Sequence, residues 1–168
     1  MPASPNRPSL LNTALLAGVT GAFLIALYLW VTEALLMHRA TVLTIFQWDA
    51  SNFLGPSAFR AGVGVALLGC LLHLIVSLIW GAIFTVAALR IRALAKNWLV
   101  SGVIFGVIVR LVMAHIIVPL GHAQMTPPPS ELYLANLYVA HIVFFGIPVA
   151  WVVSRAFSRA SASVAAAR

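Results

Sequence analysis

Four apolar runs, each about 20 residues or more in length, constrain this chain more than any other feature, because each is long enough to cross a hydrocarbon core of about 30 Å. They cover residues 11–36, 61–89, 98–120 and 132–153. Such runs are viable in lipid only as helices, since an isolated strand leaves its backbone groups unpaired and the alternation of a barrel is absent. The expected fold class is therefore all-α, a four-helix transmembrane bundle. Residues 1–168 form a single integral membrane domain, with flexible tails at 1–8 and 156–168. With 62% hydrophobic and 8% charged residues, the chain has more apolar surface than a soluble core can cover, and lipid takes the excess. The first run is too long for the apolar stretch of a secretion signal, about 7–15 residues, and reads as a retained helix.

Orientation follows from Lys and Arg at the helix ends. Arg7, Arg90, Arg92, Lys96, Arg155, Arg159 and Arg168 fall on one side, and only Arg39 and Arg60 on the other. The positive-inside rule then places both termini in the cytoplasm. The net charge of +7 comes from residues at the ends of apolar runs, with no aromatic-interleaved basic patch, so no nucleic-acid partner is expected. Trp98 and Tyr133 fall at interfaces, where aromatic rings with a polar edge are favoured.

The external loop at 38–60 is too apolar for a free linker. Its stretch VLTIFQW suggests a segment lying on the membrane or dipping into it, after which Asp49, Ser51 and Asn52 offer caps or a turn. In the second external loop Pro127, Pro128 and Pro129 stiffen the approach to the fourth helix.

Small-residue stripes on three helices each lead to an ionisable group. Gly18, Ala22, Ala26 and Glu33 share a face, as do Gly62, Ala66, Gly69, His73, Ser77 and Gly81, and as do Gly102, Gly106, Arg110 and Ala114. Small residues let backbones approach in membranes, so these faces point inward and carry Glu33, His73 and Arg110 with them. At a rise of about 1.5 Å per residue, Arg110 lies about 18 Å beyond Trp98, near mid-depth. His73 is about as deep, His141 slightly nearer the outer face, and His115 and Glu33 higher still. The expected polar intramembrane core is thus His73, Arg110, His115, His141 and Glu33. His115 is about 140° around the helix from Arg110, so the two face different neighbours.

An arginine at mid-helix costs about 2.5–3.5 kcal/mol on the lenient insertion scale, so Arg110 needs a partner. A purely structural role would have it tie helices through carbonyls and Glu33, and each histidine taken alone reads as an interhelical hydrogen bond. As a set, deep histidines beside Arg110 make proton sensing or passage chemically accessible, since histidine titrates near pH 6.5. His38 and His122 read as solvated loop residues, and Trp80, Phe144, Phe145 and Trp151 as packing or lipid-facing groups.

Several chemistries lack material. There is no Gly-rich phosphate loop, no HExxH pair, and no Ser or Cys with a base at readable spacing. With three carboxylates in all, paired-carboxylate and di-metal sites are excluded in practice. Cys70 is the single cysteine, which rules out an internal disulfide and leaves a buried, inert thiol as the expectation. No metal or cofactor is expected; a b-type haem held by His73 with His115 or His141 is the one alternative the histidines allow.

The stretches HLIVSLIWGAIF and WLVSGVIFGVIVRLVMAHIIVPLG, then TPP and a final helix containing AHIVFFG, resemble the YagU-like family of bacterial inner-membrane proteins over residues 73–150. The corresponding positions are His73, Ser77, Trp98, His115, Pro119, Gly121, Pro127, Pro128 and His141. The resemblance implies a multi-pass protein of the bacterial inner membrane with a role in acid tolerance and no established reaction. The expectation is a small non-enzymatic protein that responds to or conducts protons or small ions. A structural or assembly subunit binding other helices, and a haem-binding redox subunit, are the alternatives. Its partners would be the lipid bilayer and either further copies of itself or another membrane protein.

Overall fold

The computed structural model describes residues 9–123 and 130–166. The tail at 1–8, Arg168 and the proline run at 127–129 lie outside them. The described chain forms helices α1 (Leu10–Leu36), α2 (Val42–Leu54), α3 (Gly62–Arg90), α4 (Arg92–Lys96), α5 (Trp98–Leu120) and α6 (Glu131–Ala160). Of these, α1, α3, α5 and α6 are long and apolar enough to cross a membrane, and no strand occurs among the described residues. Large apolar side chains such as Leu11, Phe23, Leu67, Val100 and Leu132 stand exposed around the bundle, the surface that lipid would solvate.

Local chemistry sets where the helices begin. The Ser9 hydroxyl accepts from the Asn12 amide at 3.3 Å, Thr41 from Thr44 at 3.1 Å and Ser130 from Tyr133 at 3.2 Å, each satisfying an amide with no partner inside its helix. Gly62 opens α3 at φ +67°, a left-handed conformation that a side chain would strain.

Glycines set how the helices pair. A Cβ on Gly81 would stand 2.7 Å from the Gly18 amide nitrogen, so α1 and α3 cross in contact there. One on Gly106 would stand 2.6 Å from the Ile142 Cα, which seats α5 against α6. Gly21 takes Phe145 and Val149 of α6 against α1. With no side chain between them, these backbones gain dispersion contact, the main attraction between helices in lipid. The order around the bundle is α3, α1, α6, α5, with each consecutive pair antiparallel. Aromatic contacts close the remaining side toward the basic end, which carries Arg90, Arg92 and Lys96: Phe105 of α5 meets Phe84 at 4.8 Å and Trp80 at 6.0 Å between ring centroids.

Three spans contain a π-turn, at Trp30–Leu36, Met113–Ile117 and Ile142–Gly146. In α6 the consequence can be read from burial. Its inward positions are Asn136, Ala140, Phe145, Val149 and Val153, spaced by four except for the step of five across the π-turn. The extra residue resets the phase and keeps one face inward along a helix that would otherwise rotate away.

Three expectations need correction. Residues 42–54 are helical, so Asp49, Ser51 and Asn52 lie inside α2 and form no turn; the Ser51 hydroxyl donates back to the Trp48 carbonyl at 2.7 Å. This helix packs on the N-terminal half of α3, where a Cβ on Gly69 would collide with the Phe46 carbonyl. Residues 156–166 continue the last helix, since nothing in ASASVAA opposes helix propagation. Cys70 is exposed on the flank of α3, one position past the inward Gly69 and turned about 100° from it.

Candidate functional site

The polar side chains gather in the half of the bundle away from the basic end, in three groups. The first joins α1 to α6. Asn136 donates to Glu33 Oε1 at 2.5 Å and to Thr32 Oγ1 at 3.1 Å, and its own carbonyl oxygen accepts from the Tyr28 hydroxyl at 2.5 Å. Thr32 in turn donates to the Tyr28 carbonyl at 2.9 Å. Arg39, from the turn after α1, pairs with the same Glu33 oxygen at 3.1 Å and lies 5.4 Å from the centroid of the Tyr133 ring. The π-turn brings Thr32 and Glu33 inward together, and the Glu33 carbonyl accepts from the amides of Arg39 and Ala40. Glu33 is thus a buried carboxylate whose charge and hydrogen bonds are met within the fold.

The second group joins three elements on one ring. His73 of α3 reaches the Ala22 carbonyl of α1 through Nε2 at 3.2 Å, and Asp49 Oδ2 of α2 through Nδ1 at 3.3 Å. A carbonyl only accepts, so Nε2 carries a proton, and Nδ1 forms an ion pair with the carboxylate when a second proton is present. The pair is then neutral overall whether the second proton rests on the ring or on Asp49. Phe46 covers the ring edge-on, with centroids 6.1 Å apart.

Arg110 and His141 form the third. Arg110 faces α6 one turn beyond Gly106, its guanidinium carbon 5.5 Å from the centroid of the Tyr138 ring. The residue is 9% exposed, and its Nε has no hydrogen-bond partner. His141 Nδ1 donates to the Leu137 carbonyl at 2.7 Å, which leaves a lone pair on Nε2. The groups share one electrostatic neighbourhood. Tyr133 is within reach of the charges on Glu33, Arg39, Asp49 and Arg110, and His141 within reach of those on Arg110 and His73.

Of the residues singled out from sequence, Glu33, His73, Arg110 and His141 fall within these three groups, while His115 does not. It is exposed on the outer surface of α5, about 140° around the helix from Arg110. The expected link between Arg110 and Glu33 is also absent, since Arg39 and Asn136 occupy that carboxylate. Axial ligation of a haem by His73 is opposed by the geometry, because both its ring nitrogens are engaged and His115 faces away.

Asp49, Asn136, Tyr28 and Thr32 belong to the cluster and were not anticipated. A usable signal existed for Asn136, an amide inside an apolar run, which lipid penalises unless a neighbouring helix satisfies it. A recess of about 400 Å³ lined by Phe53, Gly55, Pro56, Gly121 and His122 opens at the same end of the bundle but includes none of the cluster residues. Comparison with protein-family models, curated proteins and solved structures gives no match to this chain.

Proposed function

We propose that this chain is a small, non-enzymatic, multi-pass protein of the bacterial cytoplasmic membrane, with both termini in the cytoplasm, whose buried polar cluster responds to or conducts protons. The observation that carries the reading is His73, a single titratable ring holding α1, α2 and α3 together through Ala22 and Asp49. The resemblance to YagU-like proteins, with its implied link to acid tolerance, agrees in kind.

The His73–Asp49 pair is neutral with two protons, and His141 presents the unprotonated Nε2 beside it. Acid from the α2 side adds positive charge to the His73–Asp49 pair or to His141, within reach of the fixed charge on Arg110. Around these groups stand Glu33 of α1, Arg39, and Tyr133 and Tyr138 of α6, and the Glu33 carboxylate is already paired with Arg39. Several unpaired cations cannot share a dry bundle, so α2 loosens from α3 and water enters. The saturated Glu33 network acts as a structural tie, and the response belongs to His73, Asp49, His141 and Arg110.

In vesicles containing the purified protein, proton leak or labelling of the cluster should rise as the outer pH is lowered, because each added proton leaves unpaired positive charge in the bundle. Replacing His73 and His141 together by Gln should abolish the change while leaving the protein folded. A parent protein indifferent to pH, or a double variant that responds like it, would leave these residues as ties between helices.

The orientation makes a separate prediction. Reporters fused after Arg92 and after Arg159 should both register cytoplasm, and one placed within residues 123–130 should register the exterior. The reverse pattern would sink the proposed direction of acid access.

A further inference from the structure

We infer that Arg110 is the fixed half of a binding site for one small monovalent anion, such as chloride or formate. The chain has three carboxylates. Glu33 is held by Arg39 and Asn136, Asp49 by His73, and Glu131 is exposed in the first turn of α6. None is left for Arg110, which makes no ion pair or hydrogen bond among the described residues although it is nine-tenths buried. An unpaired cation at mid-depth is costly, and when every internal carboxylate is committed the counter-charge must come from outside the chain.

Geometry defines what fits. The guanidinium carbon stands 5.5 Å from the centroid of the Tyr138 ring, a contact that satisfies part of its charge but none of its hydrogen bonds. Its N–H edge remains, with Nε unpartnered, and a planar fork of this kind binds a halide or grips both oxygens of a carboxylate. Depth excludes a lipid headgroup. Arg110 is about 18 Å from Trp98 at one end of α5 and about 15 Å from Leu120 at the other, beyond where a lipid phosphate resides. Charge also sets the number and valence: with the two other pairs balanced, one monovalent anion makes the cluster neutral, whereas a dianion would leave a buried negative charge.

The test uses the full-length protein in detergent, at constant ionic strength, with gluconate as the anion too large to enter. Exchanging gluconate for chloride, bromide or formate should raise the unfolding temperature by a few degrees, growing with the logarithm of concentration as for any ligand that binds only the folded state. Arg110→Met should lose this dependence and, in gluconate, unfold at a higher temperature than the parent, because an apolar chain replaces an unpaired charge. Chloride-35 line broadening by the parent protein, relieved by bromide and formate, reads the site without any variant. Equal unfolding temperatures in all four anions with no competable broadening, or an anion response retained in Arg110→Met, would overturn the inference.

Discussion

Leucine in place of Gly146 is expected to abolish the native bundle, and alanine at the same position to destabilise it by about 3 kcal/mol, the upper end of ordinary overpacking. A Cβ there would stand 2.6 Å from the Gly106 amide nitrogen and 2.7 Å from its Cα, and would also meet the Gly102 carbonyl. All three obstacles are backbone, so no side-chain rotation relieves them, and α5 and α6 must separate along the seam that carries Arg110 and His141. Gly64→Ala is the matched control. Nothing lies within 4 Å of the Cβ it would add, and the helix gains up to about 1 kcal/mol in propensity. Unfolding of the purified variants in mixed micelles separates the two cases. Equal stabilities for Gly146→Ala and Gly64→Ala would show that the seam is not packed as described.

Loss of Asn136 should have the next largest effect, because one side chain completes the hydrogen bonding of three others. Asn136→Leu leaves the Tyr28 hydroxyl without its acceptor and removes a donor from both Thr32 and buried Glu33. Each buried polar group left unsatisfied costs about 1–3 kcal/mol, and a charged one more, so a loss of at least about 3 kcal/mol is expected. The diagnostic result is the partner substitution. Adding Glu33→Leu to Asn136→Leu removes the stranded carboxylate and frees Arg39, whose side chain is 34% exposed and can turn to water. The double variant should therefore be more stable than Asn136→Leu alone, with a coupling of about 2 kcal/mol, within the range seen for residues in one network. Strictly additive losses would mean that Glu33 and Asn136 do not share the hydrogen bond.

These two experiments probe opposite kinds of information. The glycine seams were legible in the sequence, since Gly102, Gly106 and Arg110 recur at a spacing of four and only an inward face explains small residues there. The identity of the Glu33 partner was not. Asn136 is distant in the chain, and its inward direction depends on the register of α6, which the π-turn at Ile142–Gly146 then resets. A constant helical period cannot anticipate an inserted residue.

What the sequence determined by itself was the number and helical state of the spans, and the small-residue faces that turn Glu33, His73 and Arg110 inward. Both are consequences of local chemistry: a run of about 20 apolar residues must satisfy its backbone internally in lipid, and residues at a spacing of three or four share a face wherever the helix goes. Tertiary structure alone decided the pairings. It docked α2 against Gly69, so that Asp49 reaches His73, sent His115 outward, and gave Glu33 to Arg39 and Asn136 while leaving Arg110 with the ring of Tyr138. A polar side chain in a membrane protein must find a partner, but which one depends on helix rotation and depth to within a few ångströms. Those are set by how neighbouring backbones pack against one another.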